Sequence, residues 1–425
     1  MDAVSGAIFI ILLIIAVFLA AAFALTRRTY EVQNLSDGEY LELDGAWIRY
    51  RVSGGGPPVL LVHGWMTSSE LWEPVARALE RQHTVYRLDL RGFGDSDKPA
   101  SGYGIRNGSR LLYAFAAHFG LTGVTVVGHD LGGAMAVKLA ADHREIVGRL
   151  VLVATPASEE QMDLPNLLWL STLPVVGPVF YSVARLVPQI REWWLRPFVS
   201  DPSALTGELI EATGRPTPAA VLRTYRTARR ELTRGRLTRQ ARLLDIPALI
   251  LAGEEDAVVD PAATVDWART LKNSEVVLMP GCGHLPMLER PEEFVEHLAS
   301  ALGGSGEGDT AEYPVENAPA PEGEPRRPGG YSFVDDDLFQ NLSDPRRRRS
   351  PEPEAPEAAG EEPEPPREEP RREREPEEGE ARAGEPDSDR KPGEEMERSE
   401  FMRQLSERLR SARDRRRRDS GASER

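Results

Sequence analysis

A short apolar segment, residues 124–127, runs directly into the sequence Gly-His-Asp-Leu-Gly-Gly at residues 128–133. An alanine-rich stretch with the pattern of a helix follows at residues 134–141. When a strand, a tight turn framed by glycines and a helix follow one another, the side chain at the centre of the turn is exposed. That side chain belongs to Asp130, whose carboxylate is ionised at pH 7 and needs no base to act as a nucleophile. The motif favours covalent catalysis by Asp130, through displacement at a saturated carbon, over a simple helix-capping role.

A histidine and an acid that could complete this site lie further along the chain. His284 follows a predicted strand in the sequence Gly-Cys-Gly-His-Leu, and it is the one histidine of seven placed where a loop can present the imidazole. A buried core histidine is the alternative interpretation. Asp256 follows the preceding predicted strand, where it can hold the imidazole tautomer and stabilise the imidazolium. Three rival acids stand nearby in the sequence: Glu254, Glu255 and Asp260.

The elements that position these residues follow from the hydrophobic pattern. Residues 40–43 and 47–52 alternate as an opening antiparallel hairpin that turns at an Asp-Gly pair. Helical patterns, notably at residues 72–82 and 108–119, separate the apolar strands that follow. Strands that alternate with helices predict an α/β fold with a mostly parallel sheet, covered on both faces, and functional residues at the carboxyl ends of the strands. The predicted buried strands are 59–62, 85–88, 124–127, 150–153, 248–251 and 276–279.

Five segments occur along the chain in an order typical of one family, and the chain resembles the α/β-hydrolase family over residues 44–302. The aspartate at position 130 makes it similar to the branch that contains epoxide hydrolases and haloalkane dehalogenases. The resemblance favours Asp256 over its rival acids and implies a helical lid over the site, at about residues 156–242. The matching segments are Leu-Val-His-Gly-Trp-Met-Thr-Ser at 61–68, Leu-Asp-Leu-Arg-Gly-Phe-Gly-Asp-Ser at 88–96, the Asp130 turn, Gly-Glu-Glu-Asp at 253–256 and Gly-His at 283–284.

The resemblance also implies the order of the chemistry. Asp130 would attack a carbon of the substrate and form an alkyl ester, and His284 would then deprotonate the water that hydrolyses this ester. The backbone N–H groups of Trp65 and Leu131 would hold the oxyanion that forms on the way, whereas His63 is expected to be structural. This chemistry needs no cofactor and no metal, and the expected substrate is a small apolar organic molecule.

The residues around the site leave two substrate classes open. Dehalogenases usually hold the halide with a side-chain donor after His-Gly and a Trp after the nucleophile, and this chain has Trp65 and Leu131 at those places. Epoxide hydrolases usually have Pro where Met66 stands, and two lid tyrosines that protonate the epoxide oxygen. Tyr181 and Tyr225 lie in the predicted lid as candidate acids and together favour epoxide opening, although each taken alone suits packing. A haloalkane or haloacid dehalogenase is the alternative, and a haloacid has three lid arginines available: Arg223, Arg226 and Arg229.

Two other functions compete with these. In a non-catalytic membrane-anchored scaffold, the fold would be kept but the function would lie in the tail. The set of Asp130, His284 and Asp256 argues against this alternative. An esterase is disfavoured because attack of a carboxylate on an ester gives only an anhydride. The single cysteine, Cys282, excludes an internal disulfide and is expected to pack beside the histidine rather than to act as a nucleophile.

The N-terminus carries an uninterrupted apolar run of 19 residues at positions 7–25. A helix of this length spans roughly 28 Å, close to the apolar core of a bilayer at about 30 Å. No Lys or Arg precedes the run, which argues against a cleaved signal peptide. Arg27 and Arg28 follow it, so the positive-inside rule places the N-terminus outside and the catalytic domain in the cytoplasm. The sequence thus predicts a single-pass membrane protein, with an anchor at residues 1–30 and a hydrolase domain at residues 31–304.

The composition changes at the end of the hydrolase domain. Residues 305–425 are rich in Pro, Glu and Arg and poor in large apolar side chains, which predicts a disordered tail. Within the tail, residues 396–418 hold Phe401, Leu405 and Leu409 at four-residue spacing, the pattern of a short amphipathic docking helix or of a solvated tail with nascent helix. The formal net charge of the chain is -16, and acidic residues dilute the basic runs. This balance argues against nucleic acid and leaves a protein or an anionic lipid as the partner of the tail.

Overall fold

The structure is a computed structural model, and it describes residues 3–29, 38–303 and 400–411. Within these ranges the strands are β1 (Glu39–Leu43), β2 (Ala46–Gly54), β3 (Pro58–Val62), β4 (Thr84–Leu88), β5 (Val124–His129), β6 (Val147–Val153), β7 (Ala248–Gly253) and β8 (Ser274–Met279). They form one sheet in the order β1-β2-β4-β3-β5-β6-β7-β8. β1 and β2 form the predicted antiparallel hairpin, β2 pairs with β4 in antiparallel, and the strands from β3 to β8 pair in parallel. The mostly parallel sheet predicted from the sequence is confirmed.

Helices alternate with these strands, as the hydrophobic pattern predicted. The two segments expected to be helical, residues 72–82 and 108–119, correspond to the second and third helices. The helices are α1 (Ala3–Arg27), α2 (Glu73–Leu79), α3 (Ile105–His118), α4 (Leu131–Asp142), α5 (Val176–Ala184), α6 (Pro188–Leu195), α7 (Gly207–Ala212), α8 (Pro218–Leu232), α9 (Arg236–Ala241), α10 (Ala263–Thr270), α11 (Pro286–Glu289), α12 (Pro291–Gly303) and α13 (residues 400–411).

The centre of the sheet is buried on both faces and carries the site at one end. Residues 59–62 of β3 have no exposed surface, and neither do Val126 and Val127 of β5. Continuous apolar runs are typical of parallel strands that are covered on both sides. Because β3 to β8 run in one direction, the loops that follow β3, β5, β7 and β8 open at the same edge of the sheet.

The lid, residues 156–242, leaves the sheet after β6 and returns before β7, at the place that the sequence predicted. It contains α5 to α9 and several short 3-10 helices. Aromatic side chains hold its layers together: Trp194 is 1% exposed, and its ring lies 6.1 Å from that of Tyr181 and nearly parallel to it. These two side chains therefore serve packing within the lid.

α1 contains the apolar run that the sequence predicted as a membrane span. The side chains of residues 8–20 are exposed, whereas Ala22 in the following turn is buried where α1 contacts α5 and α8 of the lid. In the described part of the chain, α1 is the one helix long and apolar enough to cross a bilayer. This finding rests on length and composition only, and a signal sequence would meet the same criteria.

α13 is the part of the tail that the structure describes, and it lies inside the helix predicted from the four-residue spacing. Leu405 and Leu409 on one face of α13 are buried against the hydrolase domain. Arg408 forms an ion pair with Glu254, in the loop after β7. The rest of the tail lies outside the described residues, so its disorder stays a prediction. The apolar patch that α13 covers lies on α10 and β8 and contains Val265, Val276 and Leu278.

Candidate active site

Asp130 stands in the turn between β5 and α4, with φ 51° and ψ −124°. A positive φ is strained for a residue with a Cβ, and such strain concentrates at functional sites. Two glycines make room for this turn. A Cβ at Gly132 would lie 2.3 Å from the carbonyl oxygen of His63, and a Cβ at Gly64 would lie 2.7 Å from the Cβ of Asp130. The missing side chains let the Asp130 turn approach the loop after β3.

The Asp130 carboxylate accepts a hydrogen bond from one of the two backbone groups predicted as oxyanion donors. The N–H of Trp65 donates to Oδ2 across 2.9 Å, and the N–H of Leu131, the next residue along the chain, helps to lower the pKa of the carboxylate. Burial raises the pKa of Asp130, because the residue is only 6% exposed, while His284 and the two N–H groups oppose this rise. The donors and the histidine therefore favour the ionised form that a nucleophile requires.

His284 lies in the loop after β8 and is 1% exposed. Its Nδ1 donates to Oδ2 of Asp256 across 2.9 Å, and Oδ1 of Asp256 accepts the backbone N–H groups of Val258 and Val259. Burial alone would lower the pKa of His284, but attraction from Asp256 and Asp130 outweighs burial and raises it. With Nδ1 bound to Asp256, Nε2 is the nitrogen that can take a proton from water.

Contacts in the loop after β7 separate Asp256 from the rival acids. Glu254 forms the ion pair with Arg408 on α13. Asp260 accepts the N–H of Ala262 ahead of α10. Among the described residues, Asp256 is the one acid of the four with a hydrogen bond to His284.

The two tyrosines predicted as lid acids have different environments. Tyr225 on α8 packs against Trp65 with the ring centroids 5.2 Å apart. Burial raises the pKa of Tyr225, Arg229 opposes this rise, and the charges of Asp163 and Asp130 add to it. Tyr181 on α5 is fully buried, and its hydroxyl donates to the carbonyl of Thr213 across 2.7 Å. The prediction of an acid at Tyr181 does not fit the structure, because the lid backbone holds that hydroxyl.

Glu289 ties the His284 loop to the lid, and the sequence prediction missed it. Its carboxylate accepts the N–H of Gly283 across 2.7 Å and the N–H of Ser200 across 2.6 Å. Beside it, the N–H of His284 donates to the carbonyl of Phe198 across 2.8 Å. The one trace of this role in the sequence is an acid five residues after His284, which no motif singles out.

Other polar residues near the site have structural contacts. His63 accepts the N–H of Leu90 at Nε2, across 2.9 Å, which fits the structural role expected for it. The ring of His129 lies 4.5 Å from that of His284, and burial lowers the pKa of His129 well below its ordinary value. Burial raises the pKa of the Cys282 thiol to about 12, so the thiol stays protonated at neutral pH. In the described ranges, no three or more His, Cys, Asp or Glu side chains are grouped so that they could hold a metal ion.

Comparison with known proteins agrees with this architecture. Residues 57–291 match the family described as alpha/beta hydrolase fold. The chain belongs to this family. This membership, together with its hydrolase relatives, identifies the chain as a hydrolase.

Relatives of this hydrolase include both epoxide hydrolases and esterases. A soluble epoxide hydrolase from Corynebacterium sp. (strain C12) is 29% identical over 270 residues, which cover 60% of this chain and 93% of the relative. A pimeloyl-[acyl-carrier protein] methyl ester esterase from Nitrosomonas europaea is 31% identical over 259 residues, which cover 59% of this chain and 97% of the relative. A solved structure of the epoxide hydrolase CorEH without ligand is similar with a TM-score of 0.54 at 26% identity, and it covers 62% of this chain and 98% of its own.

Proposed function

We propose that this hydrolase opens epoxides through a covalent alkyl ester on Asp130. The observation that carries the proposal is the backbone N–H of Trp65 that donates to the Asp130 carboxylate, together with the buried His284–Asp256 pair, whose charge acts on that carboxylate. In this mechanism the carboxyl carbon of Asp130 becomes tetrahedral when water attacks the ester. Donors that already lie on this carboxylate are therefore placed to stabilise the oxyanion.

The first half-reaction uses Asp130 and Tyr225. An Asp130 oxygen attacks an epoxide carbon, and the bond between that carbon and the ring oxygen breaks. Tyr225 donates its hydroxyl proton, which an ordinary tyrosine retains at neutral pH, to the departing oxygen. The product is a hydroxyalkyl ester of Asp130 and a phenolate at Tyr225.

The second half-reaction hydrolyses this ester. His284 takes a proton from water at Nε2 while the water oxygen adds to the carboxyl carbon, and the N–H groups of Trp65 and Leu131 stabilise the oxyanion. Asp256 holds the His284 tautomer and stabilises the imidazolium. When the ester bond breaks, the released diol oxygen takes the proton from His284, and the second water proton returns to Tyr225.

Halide displacement is the weaker alternative for this site. The indole N–H of Trp65 was the one side-chain donor available for a halide, but it donates to the carbonyl of Val221 across 3.1 Å. Leu131 has no donor in its side chain. Tyr225, packed against Trp65, instead supplies the acid that an epoxide oxygen requires.

Esterase and scaffold functions fit the site less well. The esterase relatives suggest acyl chemistry, but a carboxylate that attacks a carboxylic ester gives an anhydride instead of a free acid. A non-catalytic scaffold gives no reason for a strained, buried Asp130 beside the His284–Asp256 pair.

We propose further that α1 anchors the enzyme as a single-pass membrane protein with its catalytic domain in the cytoplasm. The exposed apolar side chains of residues 8–20 support a span, and Arg27 and Arg28 support the orientation.

The His284→Gln variant tests the covalent mechanism. The first half-reaction needs no base, so the variant should form the Asp130 ester and then fail to hydrolyse it. Intact-mass measurement against a panel of epoxides and haloalkanes should show a stable adduct that maps to the peptide containing Asp130. An epoxide adds its whole mass, whereas a haloalkane loses its halide, so the mass also distinguishes the two substrate classes.

Asp130→Asn is the matched control for this experiment. It should form no adduct and should lose turnover by a factor on the order of 10⁴ or more, because the nucleophile is removed. One turnover of the unaltered enzyme in heavy-oxygen water should leave the label in the Asp130 carboxylate. Label found only in the product would overturn the nucleophile assignment, and a panel without any reaction would favour the scaffold.

A further inference from the structure

The outside of the lid carries exposed large apolar side chains, which we call the apolar lid face. The face extends from the 3-10 helix Leu168–Thr172 across α5 to α6. A contiguous exposed apolar patch on a globular domain marks an interaction surface. Its members include Leu167, Trp169, Val176, Val183, Leu186 and Trp193.

The elements that carry the apolar lid face are packed against each other. The 3-10 helix Leu168–Thr172 contacts α5, and the side chain of Asn166 donates to the carbonyl of Trp193 on α6. Leu186, between α5 and α6, is 72% exposed, and Val183 at the end of α5 is 62% exposed. These exposed fractions show that the two side chains lie on the surface of the domain and not at the edge of its hydrophobic core.

The position of α1 indicates what covers this face. α1 contacts α5 and α8 of the lid, and its buried residue, Ala22, lies five residues before Arg27. Five residues of helix rise by about 7.5 Å, so this contact falls in the interfacial layer of a bilayer that α1 spans. Trp169 and Trp193 are of the type that concentrates in this layer. The span and the apolar lid face thus adjoin each other.

We propose that the apolar lid face lies in the interfacial layer of the membrane that α1 spans, and that the substrate enters from the bilayer. Asp130 and His284 are almost fully buried, so the lid must move to admit a substrate. When a lid that lies in the lipid layer opens, the site becomes accessible to apolar molecules that are dissolved in the bilayer. The substrate class is an epoxide that partitions into lipid, such as one on an acyl chain. The inference rests on the proposed anchor and, for its substrate, on the proposed epoxide chemistry.

Three matched leucines allow the membrane contact to be measured without turnover. Leu13 lies on α1, Leu186 on the apolar lid face, and Leu243 between α9 and β7, outside the elements that form that face; all three are exposed. The native Cys282 is buried, so a fluorophore reacts selectively with a cysteine placed by Leu13→Cys, Leu186→Cys or Leu243→Cys. The full chain is reconstituted in phosphatidylcholine vesicles with brominated acyl chains, which should quench the labels at positions 13 and 186 but not at 243.

Each other outcome of this experiment contradicts the inference in a distinct way. Quenching at position 13 without quenching at 186 overturns the lid contact and leaves the anchor intact. An unquenched label at position 13 overturns the anchor and the inference with it. Equal quenching at all three positions shows adsorption of the whole domain, which contradicts a specific face. A label at 186 that is shielded from water yet unquenched shows that a protein surface, such as a second copy of the chain, covers the face.

A second measurement compares two substrates. Leu186→Glu should lower the turnover of a long-chain epoxide dissolved in vesicles roughly tenfold, because a charge replaces an apolar side chain in the lipid layer. It should leave the turnover of a short water-soluble epoxide unchanged, and Leu243→Glu should alter neither rate. Equal losses on both substrates would contradict delivery from the bilayer. If the unaltered enzyme turns over neither epoxide, the proposed function fails, while the quenching result still decides the lid contact.

Discussion

Asp130 combines a strained backbone with a buried charge, and each of these features alone would destabilise the fold. A non-glycine residue at positive φ costs roughly 1–3 kcal/mol, and an unpaired buried charge costs more. The N–H groups of Trp65 and Leu131 and the nearby imidazole of His284 offset the charge. The Asp130 carboxylate is thereby held in one orientation. The free energy that this orientation costs is supplied when the chain folds and not at each turnover.

Replacing Asp256 by asparagine should move the acid limb of ester hydrolysis to lower pH. Burial lowers the pKa of His284, but attraction from Asp256 and Asp130 together raises it above its ordinary value, and His284 acts as a base only in its neutral form, above that pKa. The unaltered enzyme should therefore gain activity as pH rises through the pKa of His284, and Asp256→Asn, which removes the attraction of Asp256, should do so at lower pH. The plateau rate should fall roughly 10³–10⁴-fold, because the tautomer is no longer held. Decay of the Asp130 ester in single turnovers measures both effects.

Asp260→Asn is the control for this pH profile, since Asp260 bonds to the backbone ahead of α10 and not to His284. Its acid limb should coincide with that of the unaltered enzyme. If Asp256→Asn also leaves the limb in place, a different group controls the protonation of His284.

At the scale of elements, α13 packs against side chains of the edge strand β8. β8 is an edge strand that pairs only with β7 among the described strands, and exposed edges invite association with other chains. Leu405 and Leu409 cover apolar side chains of β8 and α10. The part of the tail in α13 thus belongs structurally to the hydrolase domain, although it follows that domain by almost a hundred residues.

Leu405→Asp should lower the free energy of unfolding by about 1–2 kcal/mol, because the buried contact of α13 is lost. Phe401→Asp, one helical turn before Leu405 but 46% exposed, should change it by less than about 0.5 kcal/mol. Turnover should stay the same in both variants, since neither residue touches the site. Denaturant unfolding of the full chain measures the difference, and equal effects of the two substitutions would argue against docking of α13.

At the scale of the whole molecule, the proposed topology is open to direct measurement. Protease added to sealed cells should leave the hydrolase domain intact and should digest it after lysis, because Arg27 and Arg28 keep that side in the cytoplasm. The mature protein should retain residues 7–25. Digestion from outside would reverse the orientation, and a mature N-terminus after residue 25 would show a cleaved signal sequence.

Most of the fold is readable from the sequence because it depends on local patterns. Every strand is a short run of apolar or alternating residues, and the hairpin turn at Asp44 and Gly45 has positive φ at both residues, as an Asp-Gly pair favours. Asp130, Asp256 and His284 each follow a strand, so parallel order alone brings their loops to one edge. Their proximity thus follows from position in the chain.

The environments inside the lid could not be derived in this way. The hydroxyl of Tyr181 bonds a carbonyl 32 residues away, and Glu289 bonds the N–H of Ser200 across 89 residues. No periodic pattern encodes such pairs, because they depend on how the lid helices pack. A tyrosine that packs and a tyrosine that faces the site look alike until the lid is folded.

The hydrogen bonds that join the His284 loop to the lid couple the position of the base to the position of the lid. Phe198 and Ser200 belong to the lid, while their partners, the N–H of His284 and the carboxylate of Glu289, hold the base in place. Opening of the lid at this segment displaces the His284 loop. The imidazole is therefore aligned only when the lid is closed. In the proposed mechanism, an Asp130 ester that forms while the lid is open is hydrolysed only after the lid closes. On that mechanism, opening of the lid and hydrolysis of the ester would exclude each other in time.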